Sequence, residues 1–328
     1  MKENKIVIAN AYRYKGKQSF FAMHQIQSKI KEYRPDVEVE FHIMWDNNFE
    51  NAEHDRMYWE NLINTSGFNI VSYDKQFFSD YVVSAYDLER DEINKRLKKF
   101  FPLYHVLMGH YLRRVMLFDY YLIYDDDILI NYDFKDVIDA MLEKKPVMIT
   151  EPYHMNCDKS MVDVFKKEFG IQFVQKYLEK NPNQYGFNAG FQGIDLRMYD
   201  EFISASEFIS LLNMFNYSQV FDENGNQLLH GYDRTIIETQ QQSFFGLMNT
   251  VMSKNELHIL DPKTNYVAPT FGYCDLHGEI TKDDGYNGWG VCLKSKISHF
   301  IGHTEGRGKP KEFLERVDLY LTENGFIK

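Results

Sequence analysis

Apolar and polar positions recur with two different periods along the first half of the chain. "KIVIAN" (5–10) is a continuous apolar run that reads as a buried strand. After a polar, glycine-containing turn, "SFFAMHQIQSKIKEY" carries apolar residues at helical spacing, with Ser19 positioned as an N-cap. "VEVEFHIMW" (37–45) alternates and "FNIVSYD" (68–74) is strand-like, so both read as strands. A charged helix is expected over 87–99 and an apolar-faced helix over "YHVLMGHYLRRVML" (104–117). The strand "YLIYDDDILI", the short helix "VIDAMLEK" and the strand "PVMIT" (146–150) follow. Strand and helix alternate in this way up to about residue 150, which predicts an α/β fold: a Rossmann-like, mostly parallel sheet flanked by helices.

The pattern loosens afterwards. "VDVFKKEFGIQFVQKYL" reads as helix, "GFNAGFQGIDL" (186–196) as a glycine-punctuated strand, and a further helix is expected around 233–250. "KEFLERVDLYLTEN" is an amphipathic helix opened by Pro310. No repeat, low-complexity tract or linker rich in Pro, Gly or Ser interrupts the chain, so one continuous domain is expected.

Composition narrows the function. The 328 residues are 44% hydrophobic and 26% charged, enough for a real core. A net charge of −11 excludes a broad basic face that tracks DNA. Cys157, Cys274 and Cys292 form no CxxC pair and suit a reducing compartment. No apolar run reaches membrane-span length, and "IVIA" is too short for a signal peptide, so a soluble cytoplasmic protein is expected. Heavy use of Lys, Asn, Ile, Tyr and Phe points to an AT-rich genome, bacterial or viral; a viral chain would work in the host cytoplasm.

The chemistry concentrates at Asp125, Asp126 and Asp127, which follow the apolar "YLIY" directly. In open α/β sheets, ligands bind beyond the carboxyl ends of strands. Three adjacent carboxylates repel one another and lose hydration when covered, and a divalent cation relieves both costs. Strand alternation would put Asp125 and Asp127 on one side and Asp126 on the other. Such a pair can grip a hard ion, Mn²⁺ or Mg²⁺, which commonly also binds substrate phosphates.

"LIYDDDILI" resembles the DxD strand of GT-A glycosyltransferases, and more narrowly of glycosyltransferase family 8 and its relatives. Further segments stand in the order that this resemblance implies. "YLRRVM" would supply Arg113 or Arg114 near the nucleotide. "GFNAGFQGIDL" is similar to the family's Asn-x-Gly strand, in which Asn188 would face the donor sugar, Gly190 would admit close approach and Gln192 would share their face. "ETQQQSFF" (238–245) offers Glu238, Gln240, Gln241 and Gln242 where the family often has Asp-Gln, with Gln241 preferred. "ISHFIGHTEGRGKP" resembles the family's His-x-x-Gly-x-x-Lys-Pro segment. His299 would then complete the metal site, with His303 competing. Gly302 would allow backbone approach, and Lys309 or Arg307 would hold the diphosphate; four extra residues separate Gly302 from the Lys-Pro pair. Ala9, Asn10 and Tyr12 would form the nucleotide pocket, and Asp126 would stand beside it.

The resemblance implies a nucleotide diphosphate sugar as donor, with UDP-sugars favoured, and Mn²⁺ or Mg²⁺ on Asp125, Asp127 and His299. Residues 1–150 would bind the donor, and 151–328 the acceptor and diphosphate. Retention of anomeric configuration is expected, since no nucleophile stands out; a base such as Asp233 or Glu238 would instead suit inversion. The acceptor is not legible in the sequence; a glycan, a lipid, a protein and a modified viral DNA base are the candidates. A nucleic-acid acceptor would need a local patch such as Lys95, Arg96, Lys98 and Lys99. Tyr286 and Trp289 are of the kind that stack on sugars. Strand-end aspartates also serve metal-dependent phosphohydrolases and nucleotidyltransferases, and a non-catalytic protein that binds sugar nucleotides would keep the same signature.

Overall fold

In the computed structural model the described residues are 6–10, 16–45, 53–74, 103–130, 133–150, 170–182, 187–201, 245–260, 265–267, 297–299 and 311–328, with single positions at 77, 80, 81, 84, and 166. The elements run β1 (Ile6–Asn10), α1 (Lys17–Tyr33), β2 (Val39–Trp45), α2 (Glu53–Thr65), β3 (Asn69–Asp74), α3 (Leu103–Arg114), β4 (Tyr120–Tyr124) and β5 (Ile128–Ile130). Then come α4 (Lys135–Leu142), β6 (Val147–Thr150), α5 (Ile171–Lys180), β7 (Phe187–Asp195) and a 3-10 turn (Leu196–Glu201). A helical run over 245–252 precedes β8 (His258–Leu260), β9 (Asn265–Val267), β10 (Ile297–His299) and α6 (Lys311–Glu323). Among the described residues, no helix is long and apolar enough to cross a membrane.

Seven strands hydrogen-bond in the order β3-β2-β1-β4-β7-β6-β8, so strands from both sides of residue 150 share one sheet. The neighbours in β3-β2-β1-β4 are parallel, as the strand–helix alternation predicts. β6 and β8 are also parallel, but β7 runs antiparallel to both β4 and β6. The sheet is therefore mixed. Gly193 lets β7 fit there: a Cβ at this position would fall 1.7 Å from Tyr120 Oη and 2.9 Å from the Val147 nitrogen.

Every β4 side chain is buried, as befits a strand covered on both faces. Tyr120, Leu122 and Tyr124 join the core formed with α1, α4 and α6, where Phe20, Phe21, Ile26, Val137 and Phe313 meet. Burial of each large apolar side chain contributes about 1.5–3 kcal/mol, and this packing rather than intrinsic propensity holds α1 in place. Tyr121 turns to the opposite face, where its hydroxyl meets His105 Nδ1 of α3 at 2.8 Å.

Several local expectations change. α1 begins at Lys17 after Gly16, whose φ of 69° suits glycine, and Ser19 lies buried in the first turn instead of capping it. α3 ends at Arg114, because the backbone turns through a left-handed Leu117 (φ 62°) and the Phe118 N–H returns to the Leu112 carbonyl at 3.0 Å. The single helix expected over 162–178 is interrupted at Gly170 (φ 87°): α5 starts at Ile171, and Lys166 ahead of the break is itself helical. The expected helix over 87–99, the segment 233–244, Pro310 and the three cysteines lie outside the described residues.

Candidate functional site

β1 and β4 are parallel neighbours, with Ala9 registered on Ile123, while β2 and β3 lie on the far side of β1. The chain thus changes direction between β1 and β4. The crevice beyond the carboxyl ends at such a switch is where open α/β sheets bind ligands. Register brings the β1 end, Ala9 and Asn10, alongside the β4 end that leads into Asp125.

β4 stops at Tyr124, and Asp126 and Asp127 form a tight turn into β5. β5 belongs to a second sheet, ordered β5-β10-β9. Strand alternation therefore no longer decides which carboxylates share a side, because the three aspartates do not lie on one continuous strand. Asp126 and Asp127 are 6% and 7% exposed, while Asp125 is half-buried. The Asp125 N–H donates to the Gly190 carbonyl at 2.8 Å, which extends the β4–β7 pairing onto the turn. Ser19 Oγ stands 3.5 Å from Asp126 Oδ2, the outer limit of a hydrogen bond. The positive amino end of α1 thereby faces this carboxylate.

A buried amide braces the turn. Gln25 Nε2 donates to Tyr124 Oη at 2.6 Å and to the Ile128 carbonyl at 3.1 Å, and Oε1 accepts from the Ile130 N–H at 2.7 Å. Burial holds the Tyr124 phenol well above its ordinary range, so it stays protonated and donates to the Ile128 carbonyl at 3.4 Å. Sequence reasoning missed Gln25. The available signal was a polar residue within the apolar row of Phe21, Ala22 and Ile26.

β10 pairs antiparallel with β5 and sets His299 opposite Ile128, the residue after Asp127. Register partners have Cα atoms about 4.5–5.5 Å apart, so the His299 backbone lies within one residue of the turn. On the other flank, Gly190 touches Asp125 and Gln192 is registered on Ile123. The Gln192 amide is 0% exposed, and neither its oxygen nor its nitrogen has a hydrogen-bond partner among the described residues. A buried amide in that state is an open demand for a polar partner. Asn188 shares this strand and is registered on Ile149.

The turn offers carboxylate oxygens with an imidazole-bearing residue alongside, and donors of those types suit Mn²⁺ or Mg²⁺. Among the described side chains, no three of His, Cys, Asp or Glu form a metal-holding group, and the His299 side chain is outside that set. Tyr12, Asp233, Gln241, Gly302, Arg307 and Lys309 also lie outside the described residues, as do Glu238, Gln240, Gln242, His303, Tyr286, Trp289 and the basic run around Lys95.

The two arginines of α3 are not brought to the turn. Arg113 grips Asp200 through Nε at 2.8 Å and through Nη2, and its Nη1 donates to Asp119, which also binds Lys144 Nζ at 3.1 Å. Arg114 Nη2 reaches the Tyr199 carbonyl at 3.4 Å. Asp119 precedes β4 and Asp125 follows it, about 20 Å away along an extended strand. Arg113 thus braces the starting edge of the sheet. Hydrogen bonding by Arg113 holds the Asp200 carboxyl below its ordinary range. Partial burial works against ionisation of Asp119, yet Lys144 and Arg113 together keep it below its ordinary range as well. An Arg113→Leu chain is expected to lose about 1–2 kcal/mol of stability, since these groups are partly exposed and screened. Urea unfolding curves of the variant and the wild type check this.

No protein-family model matches the chain, and no curated protein matches it.

Proposed function

We propose that this chain is a divalent-cation-dependent glycosyltransferase of GT-A type. It would move a sugar from a nucleotide diphosphate donor, with UDP-sugars favoured, to an acceptor hydroxyl. The observation that carries this reading is the convergence at one turn: Asp125–Asp127 at the β1/β4 switch, β7 bonded to Asp125 through Gly190, and β10 registered so that His299 falls one residue from Asp127. A nucleotide-sugar site needs those parts together, namely acidic ligands for a cation, a polar strand for the sugar and a crevice for the nucleotide.

Asp125, Asp127 and His299 would hold Mn²⁺ or Mg²⁺, and Asp126 would stand beside the nucleotide pocket. The bound cation supplies Lewis-acid stabilisation of charge on the departing diphosphate. Ala9, Asn10 and Tyr12 would receive the nucleotide, and Gly302, Arg307 and Lys309 the diphosphate. Asn188 and Gln192 would orient the donor sugar, and the buried Gln192 amide has both a donor and an acceptor to offer. Gln241 would face the sugar, and Asp233 would stand with the acceptor-side segment 230–235. No carboxylate serves as nucleophile in this scheme. The acceptor attacks on the face from which diphosphate leaves, its proton passes to the departing phosphate oxygen, and configuration is retained.

The test combines ligand binding with turnover. Mn²⁺ plus UDP at a hundredfold excess over Kd should stabilise the chain by about 2.7 kcal/mol, and EDTA should abolish the gain. UDP-sugars should then release UDP in an acceptor-dependent way, with product NMR reporting the retained anomer. Release of UMP would replace this reading with a phosphohydrolase or nucleotidyltransferase. Binding without turnover over a full panel of sugars and acceptors would leave a non-catalytic binding protein.

A further inference from the structure

α1 turns one polar side chain into its own apolar face. Gln25 is 3% exposed, and all three hydrogen bonds of its amide go to the two arms of the aspartate turn. On β5 the amide behaves as a neighbouring parallel strand would: it donates to the carbonyl of Ile128 and accepts from the N–H of Ile130, straddling Leu129. The opposite edge of β5 is taken by β10. The remaining amide hydrogen reaches Tyr124, the last residue of β4. One planar group therefore fixes the span from Tyr124 to Ile128, and the three aspartates lie inside that span.

We propose that Gln25 is the positioning residue that sets the geometry of the carboxylate turn for its cation. The inference rests on the glycosyltransferase reading only insofar as that reading assigns a divalent cation to Asp125 and Asp127. Residues that orient metal ligands from behind typically change affinity about 10–100-fold when lost. Mg²⁺ demands near-octahedral geometry, whereas Mn²⁺ is expected to accept a looser set of carboxylates, so a slack turn should penalise Mg²⁺ more.

The probe is Mn²⁺ alone, with free ion read by electron paramagnetic resonance on the full chain, and Mg²⁺ by competition. Gln25→Leu keeps helix propensity and apolar packing and is expected to weaken Mg²⁺ about 10–100-fold and Mn²⁺ less, so that the ratio of the two shifts. Tyr124→Phe removes the 2.6 Å bond from Gln25 and the 3.4 Å donation to the Ile128 carbonyl while keeping the ring edge-on to Phe191; a several-fold loss in the same direction is expected. It decides the matter should the leucine variant fail to give a cooperative urea transition. Asn255→Ala, which removes bonds to the Glu143 and Lys144 carbonyls, serves as a remote, destabilised control and should leave the ratio unchanged. Wild-type affinities and an unchanged ratio in both Gln25→Leu and Tyr124→Phe would overturn the inference and leave the proposed function standing. A wild-type chain that binds no Mn²⁺ would overturn both.

Discussion

An Asp127→Asn chain is expected to lose cation-dependent turnover of a nucleotide sugar by about 10³-fold while its metal-free form gains stability. Asp127 is 7% exposed and follows Asp126, which is 6% exposed. Two neighbouring carboxylates largely removed from water, with Asp125 beside them, repel one another and forgo hydration. Asparagine keeps the shape and removes one charge, so the metal-free chain should gain about 1 kcal/mol. The same change removes an anionic ligand, so Mn²⁺ should no longer raise the melting temperature. The expected signature is a crossing: the variant melts above the wild type in EDTA and below it in Mn²⁺ with UDP. Asp126→Asn should differ, because that carboxylate faces Ser19 and the amino end of α1, and its loss should reduce turnover far less. A wild-type response to Mn²⁺ in the Asp127 variant would remove the cation from this turn.

The strands and helices of the first half were legible because each carries a clean period and is bounded by polar turns. "YLIY" reads as a strand covered on both faces, and every one of its side chains is buried. The direction of β7 was not legible. It depends on Gly193 slipping between Tyr120 and Val147, a contact that pairs distant parts of the chain. The turn at Asp125–Asp127 was read as continuous strand because apolar residues flank it on both sides; only the departure of β5 into another sheet reveals the break. Arg113 illustrates a different gap. Helical periodicity gives a residue's face but not the end of the sheet it reaches. α3 leads into β4 through residues 115–119 and its Arg113 bonds Asp119 and Asp200, so its last turn lies at the starting edge of that strand. Gln25 was hidden because its partners lie 99, 103 and 105 residues away.

Stability is expected to fall steeply as pH drops below about 6.5, well before the carboxylates are protonated. Two buried histidines dominate this, with a smaller share from His24, which burial also holds below its ordinary range. His105 is 1% exposed, with Nδ1 against the Tyr121 hydroxyl at 2.8 Å, and burial pushes its pKa down to about 3. His110 is 4% exposed, with Nδ1 against the Tyr81 hydroxyl at 2.6 Å and the Tyr199 ring edge-on; burial first, then the Arg114 charge, brings it down to about 3. In the unfolded chain both titrate near 6.5, so between that value and about 3 the unfolded state binds more protons than the folded one. Their contribution is complete above pH 6.5 and is lost as pH falls. The limiting slope is about 1.4 kcal/mol per pH unit for each, or roughly 4 kcal/mol for the pair at pH 5, a large part of a typical 5–15 kcal/mol total. Asp119 and Asp200 act in a separate and lower window. Their depressed values add stability above the ordinary carboxylate range that is lost only below it. Urea unfolding followed by tryptophan fluorescence at pH 7, 6 and 5 should resolve the histidine window, and His105→Gln or His110→Gln should each remove about half of the slope. A flat profile between pH 7 and 5 would refute the assignment. The consequence for the proposed activity is direct: turnover lost below pH 6 should track the unfolded fraction, and a catalytic group can be inferred from a pH profile only where the folded fraction stays constant.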